Sequence, residues 1–203
     1  MTAVAAAVLH AAVLTVLAVV FGSLDGSTAG CICVMGAWTL LEAHTQTGHD
    51  ATQDWPSQWL GLAMATVVVV GVTSIQTGTG WGIPWMAAGL ALRVVSVRTL
   101  GRAFVTTPQS LTKPVTHGIY GVIRHPSELG LLLLLTGVVW STGSRWSAAL
   151  VLAVALPLVL WRVHREDHWW STSGSPAHAN YVASRPAFFP VWVSRSSQAV
   201  LRE

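Results

Sequence analysis

Stretches without a charged side chain alternate along this chain with short polar segments, and the alternation predicts its elements. Thr2–Leu24 carries no charge, which predicts a first helix over about Ala3–Phe21. A second apolar run, Ala29–Leu41, lies between Asp25 and Glu42. The polar segment Ala43–Ser57, with His44, His49, Asp50 and Asp54, reads as a loop. Trp55–Leu92 is again uncharged and is split by Thr73–Gly80, giving a third helix over Gln58–Val72 and a fourth over Trp81–Val97. Glu128–Thr142 and Trp146–Trp161 follow as the fifth and sixth, joined by the turn Gly143–Arg145. Several of these runs are about 16 residues, short of the roughly 20 that cross a bilayer, and their flanking Trp and polar residues extend them to the headgroups. The expected fold is therefore an all-α, polytopic membrane helical bundle with six transmembrane helices, or five if the second is re-entrant.

Composition agrees with a lipid solvent. Of 203 residues, 52% are apolar and only 9% charged, against about 25% charged in soluble domains. The net charge of +3 comes from scattered Lys and Arg, without the dense patch that tracks a phosphate backbone, so nucleic acid is not an expected partner. Met1–Val20 has no basic residue ahead of its apolar run and reads as a retained helix, not a cleaved signal. Cys31 and Cys33 fit no common zinc spacing and read as two buried small hydrophobes.

No Lys or Arg precedes Arg93. Arg98, Arg102, Lys113 and Arg124 fall in or beside the loop after the fourth helix, and Arg162, Arg165, Arg185, Arg195 and Arg202 follow the sixth. The positive-inside rule places both segments, and with six spans both termini, in the cytoplasm. The expected location is the inner (plasma) membrane. Trp81, Trp85, Trp140 and Trp146 fall at predicted outer ends, and Trp55, Trp59, Trp161, Trp169 and Trp170 at inner ones, as an aromatic belt requires.

The polar chemistry gathers in two segments on that inner side, Leu100–Glu128 and Arg162–Pro190. The first holds His117-Gly118-Ile119-Tyr120-Gly121-Val122-Ile123-Arg124-His125-Pro126, a cationic run at a helix entrance. A hairpin of the fifth and sixth helices starts both segments from one membrane face, so they can meet in a cytosolic cleft. Arg124 can grip a carboxylate or phosphate in bidentate fashion, or serve only as a topological anchor. Pro126 suits the first turn of a helix, where its missing N–H would be orphaned anyway, and the neighbouring N–H groups favour an anion. Gly118 and Gly121 allow close backbone approach. Glu128, a carboxylate at the start of the fifth helix, gains from the helix dipole, which alone explains it; it is also a candidate general base or positioner of a substrate proton. Glu166 at the membrane edge is costly unless a cation or donor meets it, with Arg165 or Arg124 as ion-pair alternatives. His10 reads as a polar residue facing the bundle. His44, His49, His164, His168 and His178 show no zinc pattern, and no metal site is expected.

Gly118-Ile119-Tyr120, Arg124-His125-Pro126 and Gly130, preceded by Leu100-Gly101-Arg102 and Val115-Thr116, resemble the signature of the isoprenylcysteine carboxyl methyltransferase and phospholipid methyltransferase family. Glu166-Asp167, Tyr181 and Pro186-Ala187-Phe188-Phe189-Pro190 are similar to that family's acidic pair, tyrosine and proline-bearing tail, at preserved spacing. Glu128 stands where the family usually has Tyr, Asp167 replaces its second Glu, and His178 stands where a first Tyr is common. The resemblance covers about residues 89–190, leaving 1–88 as variable N-terminal helices and 191–203 as a tail of a single membrane domain. It implies a methyltransferase that binds S-adenosylmethionine, with Gly118, Tyr120, Arg124, His125, Pro126, Glu166, Asp167 and Tyr181 as the residues to hold it; Arg124 and, from its own chemistry and not from the resemblance, Glu128 are the catalytic candidates. The implied partners are a lipophilic acceptor (isoprenylcysteine-type carboxylate, phospholipid amine or small thiol) and membrane lipids. The competing readings are a nicotinamide-dependent sterol-reductase-like enzyme, against which the Arg-His-Pro signature argues, and a non-catalytic scaffold or transporter. A transporter places its polar groups near the midplane.

Overall fold

The computed structural model describes residues 3–20, 25–45, 55–74, 79–101, 114–172 and 176–189. Expectations about His49, Asp50, Asp54, Arg102, Lys113 and the tail from Pro190 fall outside them, as do those about the side chains of His44 and Trp55. Regular structure among the described residues is helical throughout: α1 (Ala3–Val20), α2 (Gly26–Thr45), α3 (Trp55–Thr73), α4 (Gly82–Leu100), α5 (Pro126–Thr142), α6 (Arg145–Leu150), α7 (Leu156–Thr172) and α8 (Pro176–Ser184).

Glycine decides how the two central helices meet. Gly82 and Gly89 are seven residues apart on α4, and Gly130 and Gly137 are seven apart on α5. A β-carbon on Gly89 would stand 2.5 Å from the Gly130 carbonyl oxygen, and one on Gly130 would stand 2.7 Å from that of Gly89. One on Gly137 would lie 2.7 Å from the Gly82 carbonyl oxygen. The antiparallel helices therefore touch backbone to backbone, the small-residue packing that apolar surroundings require because lipid supplies no hydrophobic drive between helices. Leu131, Leu134, Leu135 and Val138 of α5 then fill the core with Met86 of α4, Met64, Val67, Val68 and Val72 of α3, Leu14 and Ala18 of α1, and Met35 of α2.

At the far end of the bundle, short hydroxyl side chains close the turns. The Ser27 hydroxyl donates to the Ser141 carbonyl at 3.2 Å, and the Ser147 hydroxyl donates to that of Val67 at 2.9 Å. The Thr79 N–H donates to the Trp140 carbonyl at 3.1 Å. Gly143, at φ 63°, ends α5, and the Ser144 hydroxyl caps α6 by accepting from the Ser147 N–H. Trp81 and Trp146 are exposed at this end, and Trp85 meets Trp140 edge-on at 5.3 Å between ring centres.

Two helical stretches, Gly82–Leu100 and Arg145–Thr172, are long and apolar enough to cross a membrane, and Trp59–Thr73 and Pro126–Thr142 are shorter apolar helices. Arg145–Thr172 departs most from expectation, since the sequence ends its apolar run at Trp161. A π-turn at Val151–Ala155 loosens it just ahead of Pro157, whose ring excludes the usual i−4 carbonyl. The helix then continues through the charged residues 162–168, because Val159, Val163 and Trp170 keep one face buried. Its 28 residues rise about 42 Å, more than the roughly 30 Å of bilayer hydrocarbon, so the last turns carry their charges beyond that layer.

Two smaller expectations fail. Cys31 is buried but Cys33 is exposed, because residues two apart point to nearly opposite sides of a helix. Trp170 is buried, with its neighbour Trp169 packed edge-on against it at 5.1 Å. These two serve the contact between α7 and α8, not an aromatic belt.

Leucine at Gly89 or Gly130 is expected to destabilise the bundle by about 1–3 kcal/mol or more through overpacking. Alanine at Gly61, where a β-carbon meets nothing within 4 Å, should be neutral or mildly stabilising. Thermal unfolding of the detergent-purified variants checks the contrast.

Candidate functional site

The helix entrance at Arg124–Pro126 is built by pairing with a strip of chain sixty residues later. The Arg124 N–H donates to the Pro186 carbonyl and the His125 N–H to that of Ala187, each at 3.0 Å. The Arg124 Nε donates to the Arg185 carbonyl at 2.8 Å. Two irregular segments thus satisfy each other's backbone groups, which a partly buried loop must do. Pro126 starts α5 at once, and the Leu129 N–H makes the first helical bond to the His125 carbonyl at 3.1 Å. Phe188 packs against the core and tilts toward the His125 ring at 6.3 Å.

The charged extension of α7 completes the site. The Arg124 guanidinium pairs with Asp167. His125, 4% exposed, sets its Nε2 2.9 Å from the same Asp167 oxygen, while its Nδ1 lies 4.0 Å from Glu166 Oε2. Burial favours the neutral imidazole, but the hydrogen bond to Asp167 and the charges of Glu166, Glu128 and Asp167 outweigh it and raise the His125 pKa above its usual value. Glu166 accepts from the Trp170 indole at 3.2 Å, and its side chain is 31% exposed, more open than Asp167 at 20%. Of the ion-pair alternatives for Glu166, Arg124 instead takes Asp167, one residue along the helix.

Gly118 opens a 3-10 turn, Gly118–Gly121, at φ 58°, a left-handed conformation that L side chains rarely adopt. The turn buries Tyr120, whose carbonyl accepts from the Tyr181 hydroxyl of α8 at 3.0 Å. Burial pushes the Tyr181 hydroxyl up to about 12, and burial with the nearby Glu128 charge raises Tyr120 as well. His178 packs against Trp170 at 4.0 Å between ring centres, tilted by 56°, and ties α8 to α7. Glu128, buried in the first turn of α5, lies 3.7 Å from the Arg162 Nε of α7.

All the site residues named from sequence meet at this one end of the bundle. Gly118, Tyr120, Arg124, His125, Pro126, Glu166, Asp167 and Tyr181 share one cluster, and Glu128 flanks it on the core side. Sequence reasoning did not anticipate Arg162 opposite Glu128, or Arg93, which ion-pairs with Glu42 at 2.6 Å and reaches Ser127. The available signal for Arg93 was that it is the first cation in the chain and interrupts an apolar helix, which marks a functional position in a membrane protein. His10 is half-buried. His164 and His168 stack at 6.5 Å on an exposed helix face.

Chemically, the cluster holds an open carboxylate, a guanidinium with N–H groups left over, and two tyrosines. It can receive a molecule that carries both charges and an aromatic ring. Its raised imidazole gives a further expectation. The folded state holds the His125 proton more tightly than the unfolded chain, so this contribution to stability is complete below about pH 6.5 and is lost as pH rises through the folded value. Thermal midpoints between about pH 6 and 9 should fall for the wild type relative to His125→Gln, in which this term is absent.

Residues 78–173 match the phospholipid methyltransferase family. The chain is similar to the nickel-cobalt-cadmium resistance protein NccN of Alcaligenes xylosoxydans xylosoxydans, with 30% identity over 145 residues covering 71% of this chain and 56% of the relative. It is similar to protein-S-isoprenylcysteine O-methyltransferase B of Arabidopsis thaliana, with 26% identity over 122 residues covering 55% of this chain and 59% of the relative. It is also similar to a probable protein-S-isoprenylcysteine O-methyltransferase of Oryza sativa subsp. indica, with 33% identity over 86 residues covering 40% of this chain and 42% of the relative. The chain thus spans about half the length of these curated relatives.

Proposed function

Residues 78–173 belong to the phospholipid methyltransferase family, and on that premise we propose that this protein is a membrane-embedded, S-adenosylmethionine-dependent methyltransferase acting on a lipophilic acceptor. The observation that carries the reading is the Arg124–His125 knot: the helix entrance, the acidic pair of α7 and the strip Arg185–Ala187 are tied together at one end of the bundle. Seven residues from three regions of the chain meet there, Arg124 and His125 through backbone bonds to Pro186 and Ala187 and through charge-assisted contacts to Arg185, Glu166 and Asp167.

The residues fit the cofactor. Glu166 keeps an exposed oxygen for the ammonium or the ribose hydroxyls. Arg124 keeps N–H groups for the carboxylate, and the partly exposed Tyr181 offers ring surface to the adenine, held in place by the buried Tyr120 turn. Gly118 lets the backbone come close. Asp167 is taken up by Arg124 and His125, and its part is to orient them. A bound S-adenosylmethionine supplies a methyl group made electrophilic by its sulfonium.

The protein's work is then alignment and exclusion of water, not nucleophilic attack. Arg124, fixed at three atoms, holds its ligand in one orientation. Glu128 is poised to take a proton from a neutral acceptor, with Arg162 keeping the carboxylate ionised between turnovers; a carboxylate acceptor needs no base. The acceptor enters sideways from the lipid while the cofactor enters from water. The basic residues at this end assign it to the cytoplasm, with a five- or six-span bundle in the inner membrane. The isoprenylcysteine methyltransferases among the relatives make a prenylated thioether carboxylate one candidate acceptor, and the family's name makes a phospholipid amine another. The metals named for NccN find no set of three His, Cys, Asp or Glu ligands among the described residues.

Calorimetry on the detergent-purified protein should give saturable, micromolar binding of S-adenosylmethionine and none of reduced nicotinamide-adenine dinucleotide phosphate. The opposite pattern would move the reductase reading to the front. Glu166→Gln should weaken cofactor binding by about tenfold or more, the loss of one hydrogen bond to a charged group, while leaving membrane insertion intact. Unchanged affinity would remove Glu166 from the site.

A further inference from the structure

Two charged groups that the proposed chemistry does not use, Glu42 and Arg93, meet beside the first turn of α5. Arg93 lies in the middle of α4 and is buried, yet it makes more polar contacts than a packing role needs. Its Nε donates to Glu42 Oε1 at 2.6 Å, its Nη2 lies 2.6 Å from the same oxygen, and its Nη1 donates to the Ser127 hydroxyl. Glu42 belongs to α2, outside the family segment 78–173. Ser127 is the second residue of α5, beside Pro126 and two residues from His125. From the opposite side, Arg162 of α7 faces Glu128, the next residue along. The first turn of α5 is therefore gripped from α2 and α4 on one flank and from α7 on the other.

Stability alone is a weak reason for such a pair. Taking both ions out of water costs about as much as their attraction returns, and apolar replacements of similar size are often neutral or better. Register is the better-attested use. The glycine contact between α4 and α5 is smooth: it brings the helices close but offers few side chains to stop one sliding along the other. Arg93 sits on that seam, its backbone N only 3.2 Å from where a Gly130 β-carbon would stand, and its fork reaches one defined hydroxyl on the neighbouring helix. A slip or turn of α5 would move Arg124 and His125 off the Pro186 and Ala187 carbonyls.

We infer that Glu42, Arg93 and Ser127 form a positioning clamp that fixes the first turn of α5, and through it Arg124 and His125, so that the N-terminal hairpin α1–α2 is a working part of the binding site. That the site binds S-adenosylmethionine rests on the function proposed above; the clamp itself does not.

The test uses the full chain in detergent with Glu42→Leu and Arg93→Met combined, an apolar pair of similar volume that leaves no unpaired ion. The thermal midpoint should stay near the wild-type value. Amide hydrogen exchange at Arg124 and His125 should become about tenfold faster or more while α1–α3 keep their protection. The dissociation constant for S-adenosylmethionine should rise about tenfold, as misplaced supporting groups bring. Wild-type exchange at Arg124 and His125 together with wild-type affinity would overturn the clamp and leave the pair as packing. If the wild type itself binds no S-adenosylmethionine, the cofactor reading falls, and faster exchange in the double variant still establishes the clamp. Should the double variant fail to fold, Ser127→Ala removes only the acceptor on α5 and keeps the ion pair. Faster exchange at Arg124 and His125 in that variant supports the clamp, and unchanged exchange overturns it.

Discussion

The close approach of α4 and α5 is the constraint on which the rest of the structure depends. Four glycines at matching seven-residue spacing let two backbones meet with no side chain between them. In an apolar medium this contact is one of the few that can drive helix association, since a leucine face gains little by leaving lipid for protein. It fixes the axis of α5, around which α1, α2 and α3 supply the remaining core. It also brings the middle of α4 to the start of α5, so that a cation on one helix can reach a hydroxyl on the other.

Charge is arranged in a complementary way. Among the described residues, three sets of opposed charges stand at the site end: Arg93 with Glu42, Arg162 with Glu128, and Arg124 with Asp167 beside His125. Each pair joins different helices or a helix to the loop before one, so each conveys position and not only charge balance. Glu166 is the exception: it is held only by an indole N–H and a distant imidazole, and it is the most open of these carboxylates. An anion left comparatively free among paired ones is a natural place for a cationic or hydroxyl-bearing ligand to bind.

The long helix from Arg145 to Thr172 connects the two environments. Its first part is lipid-facing and loosened by a π-turn before Pro157. Its last part outruns the bilayer thickness and carries the acidic pair to α5 and the C-terminal strip. A continuous helix holds the acidic pair more firmly than a loop would.

Much was legible in the sequence because hydropathy and local motif chemistry are properties of neighbouring residues. The charge-free runs placed α1 to α5 to within a few residues. The helix entrance at Pro126 was readable from the local motif, whereas the left-handed backbone at Gly118 appears only in the structure. The end of the sixth helix was not, because hydropathy measures the thickness of the apolar layer and not the extent of a helix; one buried face, Val159, Val163 and Trp170, sufficed to continue it. Nor could the sequence say which carboxylate Arg124 would take, since that depends on which side of α7 faces α5, a matter of one residue's rotation. The partnership of Glu42 with Arg93 crosses 51 positions and exists only because α2 packs beside α4 in the folded bundle. Sequence alone determined which stretches are apolar and which polar side chains gather in the two segments between and after them; tertiary packing decided which charges meet, because pairing depends on helix rotation and register that no local pattern encodes.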